Sequence, residues 1–240
     1  MGVTYRDTES LDEMSLEADV SLLSVGERAR HARFVFAQDR RDFAAAHALL
    51  RRQLSMHADV PPHAWTFDAT PEGKPCLSDR LIHQGLAFNL SHTRGLVACA
   101  IGRDVDIGLD VESIDRTVDG RDIVARYFSP GEVRLLEACD VADRPARFIE
   151  LWTLKEAYIK AIGRGLSHPL DCFGFAFDGE RGIRFMPPPG VPATPWTFAL
   201  LAPSVRHRLA VAVHAPSAVV RTTDVTGDDT SAVPLRTSDW

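Results

Sequence analysis

Residues 152–166 read WTLKEAYIKAIGRGL, and this stretch decides the fold of the second half of the chain. Its apolar residues recur at intervals of three and four, which predicts a helix with one packing face. The pattern extends back to about Pro145 and ends at Ile162. Gly163 and Gly165 follow directly, and two glycines at this place permit a sharp exit from the helix and close approach to a ligand.

The polar residues of this helix have two interpretations. Trp152, Glu156 and Lys160 recur at intervals of four and therefore share one face. An intrahelical ion pair of Glu156 and Lys160, worth about 0.2–0.5 kcal/mol, is the simpler interpretation. It leaves unexplained why Lys155 lies beside the apolar stripe. In the second interpretation, the lysines offset negative charge on a metal-bound polyphosphate.

A second motif, DVDIGLDVE at residues 104–112, alternates apolar and acidic residues with a period of two, which predicts a strand. Asp110 and Glu112 then leave the same face a few ångström apart, where a bound divalent ion would favour both ionised forms. With Glu156 they form three hard oxygen ligands, a set suited to magnesium and a phosphate-containing substrate. The alternative is a solvent-exposed acidic face opposite the core.

The composition is typical of a soluble globular protein. Of the 240 residues, 45% are hydrophobic and 25% charged. The start, MGVTYRDTES, has no basic and apolar signal pattern, and no run of about 18 apolar residues occurs, so we expect a cytoplasmic protein without a membrane partner. Four scattered cysteines without metal-ligand spacing predict reduced, mostly buried structural thiols.

The charge distribution points to a local anion site. A net charge of −6 argues against a nucleic-acid partner. Residues 28–52, RARHARFVFAQDRRDFAAAHALLRR, nevertheless hold seven arginines against only Asp39 and Asp42. A solvated helical face is the alternative explanation for these arginines.

Two shorter stretches offer further polar groups. NLSHT at residues 89–93 provides Ser91 and His92 as donors at the end of a strand, although a lone histidine is often structural. Lys74 in GKP is either a ligand or an exposed lysine in a turn.

The element order predicts an α+β fold. A helix over DRRDFAAAHALLRRQL precedes a hairpin of LAFNLSH and LVACAIG, and the acidic strand, several helices and further strands follow. This order suits two related lobes. We expect an N-terminal lobe at 1–115, a C-terminal lobe at 116–216 and a flexible tail at 217–240, where periodicity is lacking.

Read together, EGKPCL, FNLSHT, IGLDVE and WTLKEAYIKAIGRGL resemble the 4′-phosphopantetheinyl transferases. The resemblance is to the longer, single-chain type that activates carrier proteins of nonribosomal peptide, polyketide and fatty-acid synthases. It covers roughly residues 72–174, and RARHARFVFAQDRRDF is similar to the family's opening. The resemblance implies a monomeric pseudo-dimer of two similar α+β lobes, each with a small antiparallel sheet packed on helices, and coenzyme A bound in the cleft between them.

The resemblance also implies residue roles. Asp110, Glu112 and Glu156 would bind magnesium on the pyrophosphate of coenzyme A, and Lys155, Lys160 and His92 would contact its phosphates. Ser91 would also bind coenzyme A, and Lys74 and Pro75 would lie near the adenine. Arg30 and Arg33 are candidates for the 3′-phosphate.

In the implied reaction, a serine hydroxyl of an apo acyl, peptidyl or aryl carrier protein attacks the β-phosphorus of coenzyme A, and 3′,5′-ADP leaves. Glu156 would be the base, directly or through a metal-bound water, and Lys160 would stabilise the developing charge. A surface near Phe128 and Arg134 is the expected carrier contact. The alternatives are a magnesium-dependent phosphohydrolase acting on coenzyme A and a non-catalytic module that binds coenzyme A or a carrier.

Overall fold

The computed structural model describes residues 1–78, 85–115, 120–165, 168–179, 182–191, 195–215, 218–225 and 234–237. The chain folds as two compact units, the first formed by residues 1–104 with 220–231 and the second by residues 105–219 with 232–240. Among the described residues, none of the helices combines the length and apolar character needed to cross a membrane.

The first unit combines helices with a sheet ordered β11-β1-β5-β4 and the small hairpin β2-β3. Its elements are β1 (Gly2–Asp7), α1 (Glu13–Ser21), α2 (Val25–His31), α3 (Ala37–Ser55), β2 (Phe67–Ala69), β3 (Pro75–Leu77), β4 (Leu86–Thr93), β5 (Leu96–Arg103) and β11 (Arg221–Asp224).

The second unit has a sheet ordered β6-β10-β9-β12-β8-β7. Its elements are β6 (Ile107–Ser113), α4 (Gly120–Tyr127), α5 (Pro130–Ala138), α6 (Arg144–Ile162), β7 (Gly174–Asp178), β8 (Gly182–Met186), β9 (Trp196–Ser204), β10 (His207–His214) and β12 (Pro234–Thr237).

Both units pack a 19-residue helix on antiparallel strands, which confirms the predicted α+β organisation. In the first unit, α3 lies on β4 and β5. Its buried Ala45 and Ala46 allow the helix to approach Val97 and Cys99 of the sheet. In the second unit, α6 lies on β6 and β10.

Local sequence signals explain where several elements begin and end. Ser129 and Glu132 form a capping box at the start of α5, with Pro130 at the first helical position. Helix α6 ends at Gly163, whose φ of 71° is the left-handed conformation that glycine adopts without strain. The predicted hairpin of β4 and β5 is also confirmed.

A buried ion-pair cluster fastens α2 to α3 in the first unit. Arg51 is 1% exposed and donates to the carbonyl of Trp65 at 2.6 Å and to Glu27 Oε2 at 2.7 Å. Glu27 also accepts a hydrogen bond from the backbone N–H of Ser24, and its Oε1 lies 2.9 Å from His47 Nδ1. One carboxylate thus joins the capping box of α2 to two side chains of α3.

The boundary between the two units differs from the one expected from the sequence. The division after Asp104, rather than after residue 115, arises because β6 pairs with β10 along its whole length. The expected tail also contains two strands: β11 pairs in parallel with β1, and β12 pairs with β9 and β8. These long-range pairings have no local signature in the sequence.

The cysteines are free thiols, but the prediction that most of them are buried is wrong, because only Cys99 is. Cys99 is buried on β5, and burial raises the pKa of its thiol to about 12. A thiol with so high a pKa is inert, which suits a structural role.

Candidate functional site

The acidic strand β6 is covered on both faces. Ile107, Leu109 and Val111 are buried on one face, as the alternation predicted. On the other face Asp110 is only 4% exposed. The interpretation of this face as a solvated surface is therefore wrong for Asp110.

Gly108 explains how a helix covers this face. A Cβ added at Gly108 would lie 1.8 Å from the carbonyl oxygen of Ala157 and 2.5 Å from the backbone nitrogen of Ala161. The bare backbone therefore lets α6 pack directly on β6. The GLD tripeptide places the Asp110 carboxylate beside this helix.

Lys160 makes the contact between the two predicted motifs. Its Nζ lies 2.5 Å from Oδ1 of Asp110, with the lysine side chain 30% exposed and the aspartate 6% exposed. The ammonium at this partly open end of the site can stabilise an anionic ligand as well as Asp110. The helix motif and the strand motif thus form one site.

Glu112 and Glu156 are the other two predicted metal ligands, and both are half-buried. Glu112 follows Asp110 on the same face of β6, and Glu156 lies one turn before Lys160 on α6. Three carboxylates on facing elements fit the donor chemistry of magnesium. In the part of the chain that the structure describes, however, no group of three or more acidic, histidine or cysteine side chains is placed to hold a metal ion. The metal site therefore stays a prediction.

The predicted contact of Lys155 with phosphate is wrong, because its side chain is fully buried. Its Nζ lies 2.8 Å from Glu132 Oε2 and donates to the carbonyls of Leu170 at 2.8 Å and Phe173 at 2.7 Å. Three partners satisfy the three donors of an ammonium. Burial lowers the pKa of Lys155, while the Glu132 carboxylate acts in the opposite direction. Lys155 fastens α6 to α5 and the segment before β7.

The predicted carrier contact also changes. Phe128 is 3% exposed and stacks on Phe148 with ring centroids 5.2 Å apart. Trp152 stacks on Phe148 with ring centroids 6.5 Å apart, so it packs against the aromatic side chains of the second unit. Arg134 is exposed on α5 and remains a candidate for the carrier surface, whereas Phe128 belongs to the core.

Among the first-unit candidates, Lys74 lies in the turn between β2 and β3. Two hydrogen bonds close this turn. The Thr70 N–H donates to the Lys74 carbonyl at 2.8 Å, and the Lys74 N–H donates to Thr70 Oγ1 at 3.2 Å. The Lys74 side chain is half-buried, and Pro75 is exposed at the start of β3.

Ser91 and His92 are neighbours on β4 and point to opposite faces of the sheet. Ser91 is 7% exposed, and His92 is exposed. Of the two, His92 is the better placed to meet a ligand that arrives from solvent.

Arg30 and Arg33 are both exposed, at the end of α2 and just beyond it. The guanidinium of Arg30 lies 5.4 Å from the ring centroid of Phe43. This contact orients Arg30 without removing it from solvent. Both arginines are open to an anion.

A cation that the sequence analysis missed lies next to the acidic pair. Arg208 on β10 is directly opposite Glu112 in the antiparallel register. Its Nε lies 3.4 Å from Oε1 of Glu150 on α6. The alternation in HRLAVAVH placed Arg208 on a strand, but the pairing with β6 could not be read from it.

Comparisons with known proteins agree with the two motifs. The sequence model described as "4'-phosphopantetheinyl transferase superfamily" matches residues 106–213, and "4'-phosphopantetheinyl transferase, N-terminal" matches residues 11–103. A crystal structure of a holo-(acyl-carrier-protein) synthase from Bacillus anthracis in complex with CoA (3',5'-ADP) has 19% identity and a TM-score of 0.38, over 47% of this chain and 96% of that chain.

Similar curated proteins carry related names. 4'-Phosphopantetheinyl transferase HetI of Nostoc sp. is 39% identical over 155 residues, which span 65% of each chain and thus slightly less than two thirds of HetI. Sfp of Bacillus subtilis is 31% identical over 72% of this chain and 75% of its own. The transferase psf-1 of Bacillus pumilus is 30% identical over 88% of both. The chain therefore belongs to the 4′-phosphopantetheinyl transferase superfamily.

Proposed function

We propose that the protein transfers 4′-phosphopantetheine from coenzyme A to a serine hydroxyl of an apo carrier protein, in a magnesium-dependent reaction that releases 3′,5′-ADP. The contact between Lys160 and Asp110 carries this proposal, because it joins the family's two motifs into one site. The names of the relatives give the reaction class.

Magnesium suits the three acidic residues by their chemistry. Asp110, Glu112 and Glu156 would hold it, and it would supply positive charge to the pyrophosphate oxygens of coenzyme A. Each of the three is a hard oxygen donor.

The reaction breaks one phosphorus–oxygen bond and forms another. The carrier serine oxygen attacks the β-phosphorus, and the bond from that phosphorus to the oxygen of 3′,5′-ADP breaks. Lys160 stabilises the charge on the departing oxygen or on the phosphoryl oxygens. Glu156 accepts the serine proton, directly or through one water.

Residues of the first unit are proposed to bind the nucleotide. Lys74 and Pro75 would contact the adenine side, while exposed Arg30 and Arg33 would bind the 3′-phosphate as charged donors. His92 would contact a phosphate from β4, with the buried Ser91 as its neighbour on that strand. These roles can be tested individually by substitution.

Intact-mass measurement tests the proposal directly. Apo acyl and peptidyl carrier proteins are incubated with the protein, coenzyme A and magnesium, with an EDTA control. We expect the carrier mass to rise by one phosphopantetheine only without EDTA. Cleavage of coenzyme A with no mass gain would favour a phosphohydrolase instead. Intact coenzyme A with unmodified carriers would favour a binding module.

A further inference from the structure

Arg208 lies opposite the acidic pair on the face that α6 covers. In the antiparallel pairing of β10 and β6, Arg208 is opposite Glu112, and Ala210 is opposite Asp110. Directly opposed residues share a face, with Cβ atoms about 4.5–5.5 Å apart. A guanidinium on a long side chain therefore starts within reach of the Glu112 carboxylate.

The guanidinium of Arg208 is anchored from two directions. Its Nε lies 3.4 Å from Glu150 Oε1, and its Nη1 donates to the carbonyl of His207 at 3.0 Å. Glu150 in turn binds Arg147 Nη1 through Oε2 at 2.7 Å, and Arg147 lies 4.4 Å over the ring of Phe177. With 14% exposure of the Arg208 side chain, this network limits the positions that the guanidinium can take.

The two carboxylates of the strand therefore have different cations nearby. Lys160 contacts Asp110 at 2.5 Å from the helix side. Arg208 approaches the position of Glu112 from the neighbouring strand.

We propose that Arg208 is a positioning residue: held by Glu150, it orients the Glu112 carboxylate for a divalent cation. The inference rests on the proposed function, in which Glu112 is a magnesium ligand. Arg208 acts through Glu112 and takes no part in the bond changes.

The charge of Arg208 also repels a divalent cation, so by this effect alone the removal of Arg208 would strengthen cation binding. Glu150, whose two oxygens bind Arg208 and Arg147, offsets part of that charge. Groups that orient a metal ligand change metal affinity by about 10–100-fold. We therefore expect the loss of orientation to outweigh the loss of repulsion.

Calorimetric titration of Mg²⁺ tests the inference without turnover. Mg²⁺ is added to the full chain with coenzyme A present and no carrier protein. The heat of adding Mg²⁺ to coenzyme A without protein is subtracted. Arg208→Ala is expected to weaken Mg²⁺ binding about tenfold, and Arg208→Lys to weaken it less. Arg206→Ala is the control just outside the same strand pair, because it removes an exposed ion pair with Asp115 and should leave the affinity unchanged.

A double-mutant cycle separates positioning from general destabilisation. If Arg208 acts through Glu112, Arg208→Ala has no further effect on Mg²⁺ affinity in the Glu112→Gln background. Unchanged or tighter binding by Arg208→Ala, or an equal loss in both backgrounds, would overturn the inference. If Arg208→Ala fails to fold, Arg208→Lys replaces it in the same double-mutant cycle with Glu112→Gln. The same outcomes then support or overturn the inference. No Mg²⁺ binding by the wild type would overturn the proposed metal site and this inference together.

Discussion

Lys160 Nζ lies 2.5 Å from Asp110 Oδ1, across 50 residues of sequence, and so joins α6 to β6. The lysine is partly exposed while the aspartate is buried, so the ammonium lies at the open side of the pair. A cation in this position can contact an anionic ligand while it remains bound to its carboxylate partner.

Lys160→Met should lower kcat for carrier modification by about 10²–10³-fold, because a charged donor to the reacting phosphate is lost. The free energy of unfolding should fall by about 1–3 kcal/mol, since buried Asp110 loses its ammonium contact. Carrier mass spectrometry and urea unfolding measure the two effects. Arg184→Met is the control, because it breaks an ion pair whose side chains are 63% and 59% exposed. An unchanged kcat in Lys160→Met would remove the lysine from the reaction.

Glu156→Gln should lower transfer by about 10²-fold or more at saturating coenzyme A, because an amide can neither accept the serine proton nor bind a cation as a carboxylate does. Stability should change little, since the substitution preserves size and the side chain is half-buried. Glu17→Gln, on the exposed side of α1, serves as the matched control. Full magnesium-dependent activity in Glu156→Gln would refute its assignment as base and ligand.

Gly108→Ala should displace α6 from β6. The new methyl group would meet the Ala157 carbonyl oxygen at 1.8 Å, and neither backbone can yield without moving the helix. We expect a loss of stability of about 1–3 kcal/mol or more, together with reduced transfer, because Lys160 would shift from Asp110. Gly131→Ala is the control: its nearest neighbouring atom is at 3.9 Å, so unfolding should show no loss. Equal stability of both variants would contradict the close packing.

Local patterns predicted the elements that carry the site. The end of the long helix before Gly163 and the β4-β5 hairpin depend on residues close in sequence, and both are confirmed. The sequence analysis linked IGLDVE to the long helix through a magnesium ion shared with Glu156, whereas the structure joins the two motifs through Lys160 and Asp110.

The failures concern partners distant in sequence. Lys155 resembled a phosphate ligand because its partner Glu132 lies on another helix, and no periodicity shows that the two meet. The boundary expected at residue 115 assigns β6 to the first unit, whereas β6 pairs with β10 of the second unit. Arg208 was missed for the same reason, since its place beside Glu112 exists only through that register.

Lys155→Met should act on stability and leave the binding of coenzyme A intact. Breaking a buried ion pair typically costs about 3–5 kcal/mol, and here Glu132 would keep its buried carboxylate while losing the ammonium. Urea unfolding measures the loss, and KM for coenzyme A is measured at a temperature where the variant is folded. In Lys160→Met, by contrast, the larger effect should be on kcat and the smaller one on stability. Wild-type stability with a raised KM in Lys155→Met would restore its role as a phosphate ligand.

Glu27 should make stability depend on acid pH. Burial alone would raise the pKa of Glu27, but hydrogen bonds from His47, the Ser24 backbone and Arg51 outweigh it and hold the pKa at about 2, below the ordinary 4.5. A carboxyl group with a lowered pKa in the folded state contributes stability that is fully present above about pH 4.5 and is lost as pH falls toward 2. The difference in unfolding free energy between wild type and Glu27→Gln should therefore shrink over this window.

Urea unfolding at a series of pH values between about 3 and 6 measures this difference, since its slope with pH reports the protons taken up on unfolding. Glu13→Gln, an exposed change in the first turn of α1, should give a difference that stays nearly constant over the same range. A constant difference for Glu27→Gln as well would mean that His47 and Arg51 do not hold the carboxylate ionised. In that case the cluster joins α2 to α3 by packing and neutral hydrogen bonds alone.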